Sequence, residues 1–168
     1  MARTQFNPLD QTAPTSAAAV SPVTASNSTA DTTFVALTVP AGEGTGACYS
    51  VKAYGSGTGA QGTTLTFWIA IGGAKVISIP LILANTFVSG GPILWSLDAL
   101  VTLGGSGATA SVRVDGALLW TVNINTGQAS GSATVNQGSA WTIAAGCTMG
   151  TAAAGNTVTA NQALIRRF

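Results

Sequence analysis

The sequence contains no histidine, and its carboxylates are few and scattered. Histidine is the usual general base and the commonest metal ligand, so its absence excludes the standard catalytic triads and most metal sites. A glycosidase would need two carboxyl groups facing each other across a narrow cleft. Only Asp98 lies on a predicted strand; the other four carboxylates fall in the N-terminal segment, in a solvated loop or in a predicted turn (Asp10, Asp31, Glu43 and Asp115). We therefore expect no enzymatic activity, no cofactor and no metal.

Charged residues of either sign are also scarce. They make up 7% of the 168 residues, the formal net charge is +1, and the mean hydropathy is +0.42. A freely soluble small domain usually carries roughly 25–35% charged residues on its surface. We therefore expect much of the outer surface to be covered by further copies of the chain or by a partner. The alternative is a neutral monomer solvated by threonine and serine.

The same shortage limits the possible partners. A protein that neutralises phosphates needs clustered Lys and Arg, and the only adjacent basic pair is Arg166-Arg167, so we expect no nucleic acid partner. Apolar runs are broken by Gly, Pro or Thr within about ten residues, which is too short for a membrane span. The N-terminus lacks the apolar core of a secretory signal. Cys48 and Cys147 could pair if their strands are adjacent, but two buried free thiols in a protein assembled in the cytoplasm are favoured.

The sequence is rich in glycine and in apolar residues that alternate with polar ones, a pattern typical of half-buried strands. The clearest stretch is residues 92–124, where Asp115-Gly116 separates two alternating runs and predicts a type I′ hairpin turn. This stretch predicts a three-stranded antiparallel meander whose apolar face needs a second sheet. Similar runs on both sides bring the total to roughly eight to ten strands. The predicted fold is all-β: a two-sheet antiparallel, jelly-roll-like sandwich.

Glycine and proline set the predicted strand boundaries. Gly72-Gly73 predicts a tight hairpin, and Pro80 is expected to end the strand that follows it. Residues 81–91 are then a predicted crossover, and the glycine-rich residues 55–62 and 126–138 are predicted loops.

Residues 1–32 differ from the rest of the chain. They hold three prolines and many Ser and Thr, with no apolar periodicity, so they cannot bury enough surface to fold alone. We predict an extended N-terminal arm over residues 1–32 and a β-sandwich domain over residues 33–168. The arm could lie over neighbouring subunits or fold back along its own domain.

Three side chains are candidate subunit contacts because alternation places them on outer strand faces. Trp68 points away from Leu65, Phe67 and Ile69, and a large outer aromatic is a common interface anchor; alternatively it lies flat over a sheet edge or under a loop. Asp98 and Arg113 could form a cross-strand ion pair that fixes register between subunits.

Several stretches together resemble a group of tailed-bacteriophage virion proteins with a β-sandwich fold, over about four-fifths of the chain. They are the strand ending VPAG with the YSVKAYG strand after it, TTLTFWIAIGG, WSLDALVTLGGSGATASV and GNTVTANQALIRR. Proteins of this kind occur on phage heads as decoration or cement proteins and in tails as fibre or baseplate components. The resemblance brings no catalytic residues with it.

With its arm and its charge-poor sandwich, the chain is expected to be a capsid decoration protein. It would be a homotrimer on the virion's capsid surface, bound to the major capsid protein and bridging capsomers, with avidity from many copies. The alternative is a tail fibre, baseplate or receptor-binding module, in which the loops at residues 55–62 and 126–138 contact a host glycan.

Overall fold

The computed structural model describes residues 16–19, 21–59, 62–82, 93–120 and 125–168. Within these ranges the chain forms eleven strands and no helix. The strands are β1 (Ser16–Ala19), β2 (Val23–Ser26), β3 (Thr32–Val39), β4 (Cys48–Thr58), β5 (Thr64–Ile71), β6 (Ala74–Ile82), β7 (Ile93–Leu103), β8 (Ala110–Trp120), β9 (Asn125–Val135), β10 (Trp141–Met149) and β11 (Thr157–Arg167). No helix in the described ranges is long and apolar enough to cross a membrane.

The strands form two antiparallel sheets that pack face to face. The large sheet has seven strands in the order β1-β11-β4-β7-β8-β9, with β2 also paired to β11. The small sheet has four strands in the order β3-β10-β5-β6. The prediction of an all-β, two-sheet antiparallel sandwich is therefore confirmed.

Apolar side chains from the inner faces of both sheets form the core. At its centre Phe34 and Phe67 of the small sheet meet Trp95 of the large sheet, with ring centroids 5.4 and 4.7 Å from that of Trp95. All three are at most 3% exposed. Burying an aromatic side chain of this size contributes about 1.5–3 kcal/mol, so this cluster is a large part of what holds the sheets together.

The predicted turn at Asp115-Gly116 is wrong, because both residues lie inside the continuous strand β8. The meander therefore consists of β7, β8 and β9, and its second connection falls after Trp120. Glycine stands at position 116 for a different reason: a Cβ there would lie 2.6 Å from Cδ1 of Ile77 in the small sheet. Close approach of the sheets, and not positive φ, requires this glycine. The Gly72-Gly73 hairpin is confirmed, with φ of 59° and 87°.

The predicted loop at residues 126–138 is mostly strand, because β9 runs to Val135. Its glycines face β6: a Cβ on Gly127 would lie 2.4 Å from Ile79, and one on Gly131 would lie 2.5 Å from the carbonyl oxygen of Val76. The glycine content that suggested a loop thus reflects tight packing of β9 on β6.

Two further predicted boundaries are corrected. Of the predicted loop at residues 55–62, positions 55–58 belong to β4. Pro80 does not end its strand, since β6 continues to Ile82; β6 is an edge strand, where a missing N–H breaks no ladder bond. The predicted crossover at residues 81–91 therefore begins later, and its residues 83–91 lie outside the described ones.

Part of the predicted arm pairs with the chain's own large sheet. Strand β1 lies beside β11 with Ser16 opposite Arg166, and β2 lies beside the other half of β11. These residues follow the second alternative, an arm folded back along its own domain, whereas residues 1–15 lie outside the described ranges. The division of the chain at residue 32 stays a prediction.

The two cysteines lie in different sheets and are both free. Cys147 is fully buried in β10, and Cys48 at the start of β4 is half-buried. The preference for free thiols over a disulfide is confirmed.

Candidate functional site

The outer face of the large sheet carries a wide, open concave surface. A shallow groove of about 820 Å³ crosses β4, β7, β8 and β9 and is lined by Lys52, Asp98, Leu100, Asp115, Gln128 and Ser130 among others. A second hollow of about 440 Å³ lies beside it and is lined by Tyr54, Ser96 and Gln162 among others. We call this surface, made of the outward side chains of β11, β4, β7, β8 and β9, the outer face.

Large apolar side chains are exposed on the outer face. Period-two alternation puts one set of side chains of each strand into the core and the other set outward. The outward set includes Tyr54, Leu94, Leu100, Leu119 and Leu164, which are 37–53% exposed. Leu119 and Leu94 lie toward one end, and Leu100 lies at the middle of the groove. The Lys52–Asp98 pair lies between Leu119 and Leu100, so the exposed apolar side chains alternate with polar ones across the face.

Four charged side chains of the outer face are paired with one another. Lys52 Nζ lies 3.1 Å from Asp98 Oδ1, and Arg113 contacts Asp115 through both Nε and Nη2 at 2.8 and 3.1 Å. The hydrogen bond from Arg113 holds the pKa of Asp115 below its usual value. Exposed pairs of this kind add little to stability, but they neutralise these four charges. Arg166 of β11 also faces outward and is not part of either pair.

The predicted Asp98–Arg113 pair does not form. Both residues do face outward, but the register places Asp98 opposite Lys52 and Ala117, and Arg113 opposite Thr102. Four positions along β8 therefore separate Arg113 from the residue that faces Asp98. The alternation in the sequence gave the face correctly, but it carried no information about which residues are opposite each other.

Trp68 lies on the other sheet and is not an exposed anchor. It points away from Phe67 and Ile69 as predicted, yet only 4% of it is exposed. Its ring lies against Gly146, where a Cβ would be 2.4 Å from the indole, and Lys75 Nζ lies 5.3 Å from the ring centroid. The ring of Trp68 therefore packs over its own sheet, against the neighbouring strand β10. A contact of Trp68 with another subunit stays a prediction.

A buried polar cluster at one end of the sandwich was not found from the sequence. Glu43 was expected in a solvated loop, but it is 8% exposed. Its carboxylate accepts a 2.6 Å hydrogen bond from the Tyr49 hydroxyl and lies 2.6 Å from Arg167 Nη2. Burial and the hydrogen bond to Glu43 raise the pKa of Tyr49. Gln137 donates to the Glu43 carbonyl oxygen at 2.9 Å and accepts from the Gly107 amide at 2.7 Å.

This cluster ties three loops together and offers no free catalytic group. Glu43 is held by a tyrosine and an arginine, and Gln137 links the loop before β4 to the β7–β8 connection. The residues are separated by up to 124 positions along the chain (43 and 167), so no local motif could reveal them. Within the described ranges, no group of three His, Cys, Asp or Glu residues could hold a metal ion.

Fold and site together define a β-sandwich with an open, partly apolar outer face. No family model matches the sequence, and no curated protein matches it. Among solved structures, the chain is similar to the CBM2 module of the evolved Dit protein of Lactobacillus casei BL23 phage J-1. The TM-score is 0.37 at 13% identity, covering 86% of this chain and 74% of that chain. At this TM-score the module's function is not transferred.

Proposed function

We propose that this chain is a non-enzymatic structural protein of a phage particle that attaches to the capsid surface through its outer face. One observation carries the proposal: five large apolar side chains are exposed on this face, whereas four of its charged side chains, Lys52 with Asp98 and Arg113 with Asp115, form ion pairs with one another. The resemblance of the sequence to phage virion proteins supports the setting. The shallow shape of the groove suits a flat protein surface better than a small molecule.

The energetics suit attachment in many copies. Burying the exposed part of a half-exposed leucine contributes about 1 kcal/mol, so Leu94, Leu100 and Leu119 together supply a modest free energy to one contact. Lys52 and Asp98 already form an ion pair, so neither needs a new partner when the capsid surface covers the outer face. Several copies held together on one lattice gain avidity without strong individual contacts.

The test replaces two outer-face leucines and measures attachment. We expect the double variant Leu100→Ser with Leu119→Ser to fold normally but to be retained on sedimented particles at least about tenfold less than the unaltered chain. The matched control is Ile82→Ser, which removes a 64% exposed isoleucine from the small sheet. Equal retention of all three proteins would contradict the proposal. Hundreds of copies per particle would place the protein on the head.

A second candidate function is glycan binding in the tail, favoured by the hollow at Tyr54. The ring of Tyr54 is 47% exposed and lies beside Ser96, Gln162 and the Lys52–Asp98 pair. An exposed aromatic ring with hydrogen-bonding groups around it can stack on a sugar ring and bind its hydroxyl groups. Residues 55–58 and 126–135 of the two predicted loops belong to strands β4 and β9; a glycan contact of these segments stays a prediction.

The two functions respond to different substitutions. If the partner is a glycan, Tyr54→Ala abolishes binding to immobilised host polysaccharide, whereas the double leucine variant keeps it. Copy number then falls to some tens per particle or fewer. Because we expect no catalysis, the polysaccharide should keep its chain length after incubation with the protein, as measured by size-exclusion chromatography.

A further inference from the structure

Strand β9 leaves a long free edge on the large sheet. Among the described residues it pairs on one side only, with β8. Residues 126–134 are all exposed or partly exposed. Its sequence, NTGQASGSATV, contains no charged residue and no proline. An edge strand presents a row of unpaired backbone N–H and C=O groups, and natural proteins usually protect such an edge.

The other sheet edges show the protection that β9 lacks. Strand β6 carries Lys75 and Pro80, which both oppose pairing with a further strand. The edge made by β1 and β2 is split into two pieces of four residues on either side of Ser21-Pro22. Strand β3 lies against β1, β2 and β11. Strand β9 packs on β6 through its inner face, but among the described strands at a sheet edge it is the longest one with neither a charged residue nor a proline.

We propose that β9 pairs antiparallel with β9 of a second copy of this chain, about a two-fold axis. A strand can always pair with itself in this way, because the contact is isologous and needs only one kind of surface. The outward side chains of β9 are uncharged and, apart from Gln128, small (Thr126, Gln128, Ser130, Ser132 and Thr134), so no like charges oppose each other across the new pair.

The first residues of the chain suit this edge less well than a second β9. Pro8 and Pro14 each lack the N–H that a ladder needs, and they limit any uninterrupted pairing run in residues 1–15. Pairing of β9 with itself would also join two outer faces side by side. Gln128 and Ser130 line the groove at its β9 end, so the grooves of the two copies would meet at the new seam.

The experiment measures self-association of the purified full chain, without particles, and so is independent of the proposed function. Analytical ultracentrifugation should show a monomer–dimer equilibrium. The double variant Ser130→Lys with Ser132→Lys should raise the dissociation constant at least about tenfold, because lysines on both copies repel across the pair. The control, Ser26→Lys with Ser78→Lys, adds the same charge at exposed positions on β2 and β6 and should leave it unchanged.

Hydrogen exchange of the unaltered chain gives a second readout that needs no variant. Amides of β9 should exchange more slowly at high than at low protein concentration, and those of β6 should not change. A chain that stays monomeric at every concentration overturns the proposal. So does an oligomer that the β9 lysines do not weaken, or one in which the protected amides lie elsewhere. Equal protection of β9 and β1 would indicate a head-to-tail ring and overturn the two-fold pairing.

Discussion

At the scale of single residues, the backbone of β11 leaves no space for a side chain at position 55. A Cβ on Gly55 would lie 1.8 Å from the carbonyl oxygen of Thr159, a backbone atom that cannot rotate away. At Gly116 the nearest atom is instead the end of the Ile77 side chain, 2.6 Å away, which can change rotamer. The two glycines are therefore both required by close packing, but to different degrees.

Alanine substitutions should separate these two positions. We expect Gly55→Ala to lower the free energy of unfolding by about 3 kcal/mol and Gly116→Ala by about 1 kcal/mol, the upper and lower ends of the range that overpacking generally costs. Urea unfolding followed by circular dichroism measures both. Gly44→Ala is the control, since a Cβ there meets no atom within 4 Å. Equal losses at positions 55 and 116 would show that the Thr159 backbone moves readily.

The thiol of Cys147 should make stability depend on alkaline pH. Burial, with a smaller contribution from the charge of Asp31, raises the pKa of Cys147 from 9.0 to about 12. Between these values the unfolded chain has lost the thiol proton and the folded chain keeps it, so the unfolded state binds fewer protons. The contribution of this thiol to the free energy of unfolding is then fully present below pH 9.0 and is lost as the pH rises toward about 12.

Replacing this cysteine tests that pH dependence. We expect Cys147→Ala to lose some stability at neutral pH because it leaves a small cavity. Its free energy of unfolding should then fall less steeply than that of the unaltered chain between pH 9.0 and about 12. The comparison is between slopes, which the cavity does not affect. Parallel slopes would show that the thiol does not contribute.

At the scale of strands and sheets, the alternation of apolar and polar residues predicted strands correctly where one face of the strand is buried and the other is exposed to solvent. Strand β7 and the Gly72-Gly73 hairpin follow from local pattern alone. The predicted turn at Gly116 and the predicted loop at β9 were wrong because these glycines are required by close contact with the opposite sheet. A single sequence does not show how closely two sheets approach, so these glycines resemble turn glycines.

For the candidate site, the sequence likewise predicted which face a side chain occupies but not which residue it contacts. Alternation put Asp98 and Arg113 on the outer face, but pairing depends on register, which is set by strands far apart in the chain. The Glu43 cluster depends on three loops that meet only after folding. Its burial could not be derived from a loop sequence that is rich in glycine.

The strands β1 and β2 allow a prediction about truncation. Removing residues 1–15 deletes none of the described strands, so we expect the stability of the chain to stay within about 0.5 kcal/mol. Removing residues 1–27 also deletes β1 and β2, exposes the edge of β11 and uncovers the contacts of the buried Ala25. That should cost roughly 2–4 kcal/mol in free energy of unfolding.

Urea unfolding of the two truncated chains measures the difference. Equal stabilities would show that pairing with β11 contributes nothing. The shorter truncation is also the cleaner test of whether the first residues contact a particle. A cut at residue 32 would combine loss of the arm with damage to the large sheet.

At the scale of the whole molecule, ion pairing further reduces the number of charged side chains that are available to a partner. Four ion pairs use eight of the eleven charged residues, and two of the other three, Arg3 and Asp10, lie outside the described ranges. Arg166 is the third. The molecule therefore has little free charge with which to attract a partner over a distance. The attachment that we propose would come mainly from surface that is removed from water.

Attachment to particles should accordingly resist salt. The Debye length falls from about 10 Å at 0.1 M to about 3 Å at 1 M salt, which weakens exposed charge contacts but not apolar ones. We expect the fraction of protein retained on sedimented particles to change by less than about twofold between these concentrations of sodium chloride. Ammonium sulfate should increase retention, because it strengthens the burial of apolar surface. The exposed variant Arg113→Gln should behave like the unaltered chain in both salts. Release of the protein by 1 M sodium chloride would mean that the few charges, and not the leucines of the outer face, hold it in place.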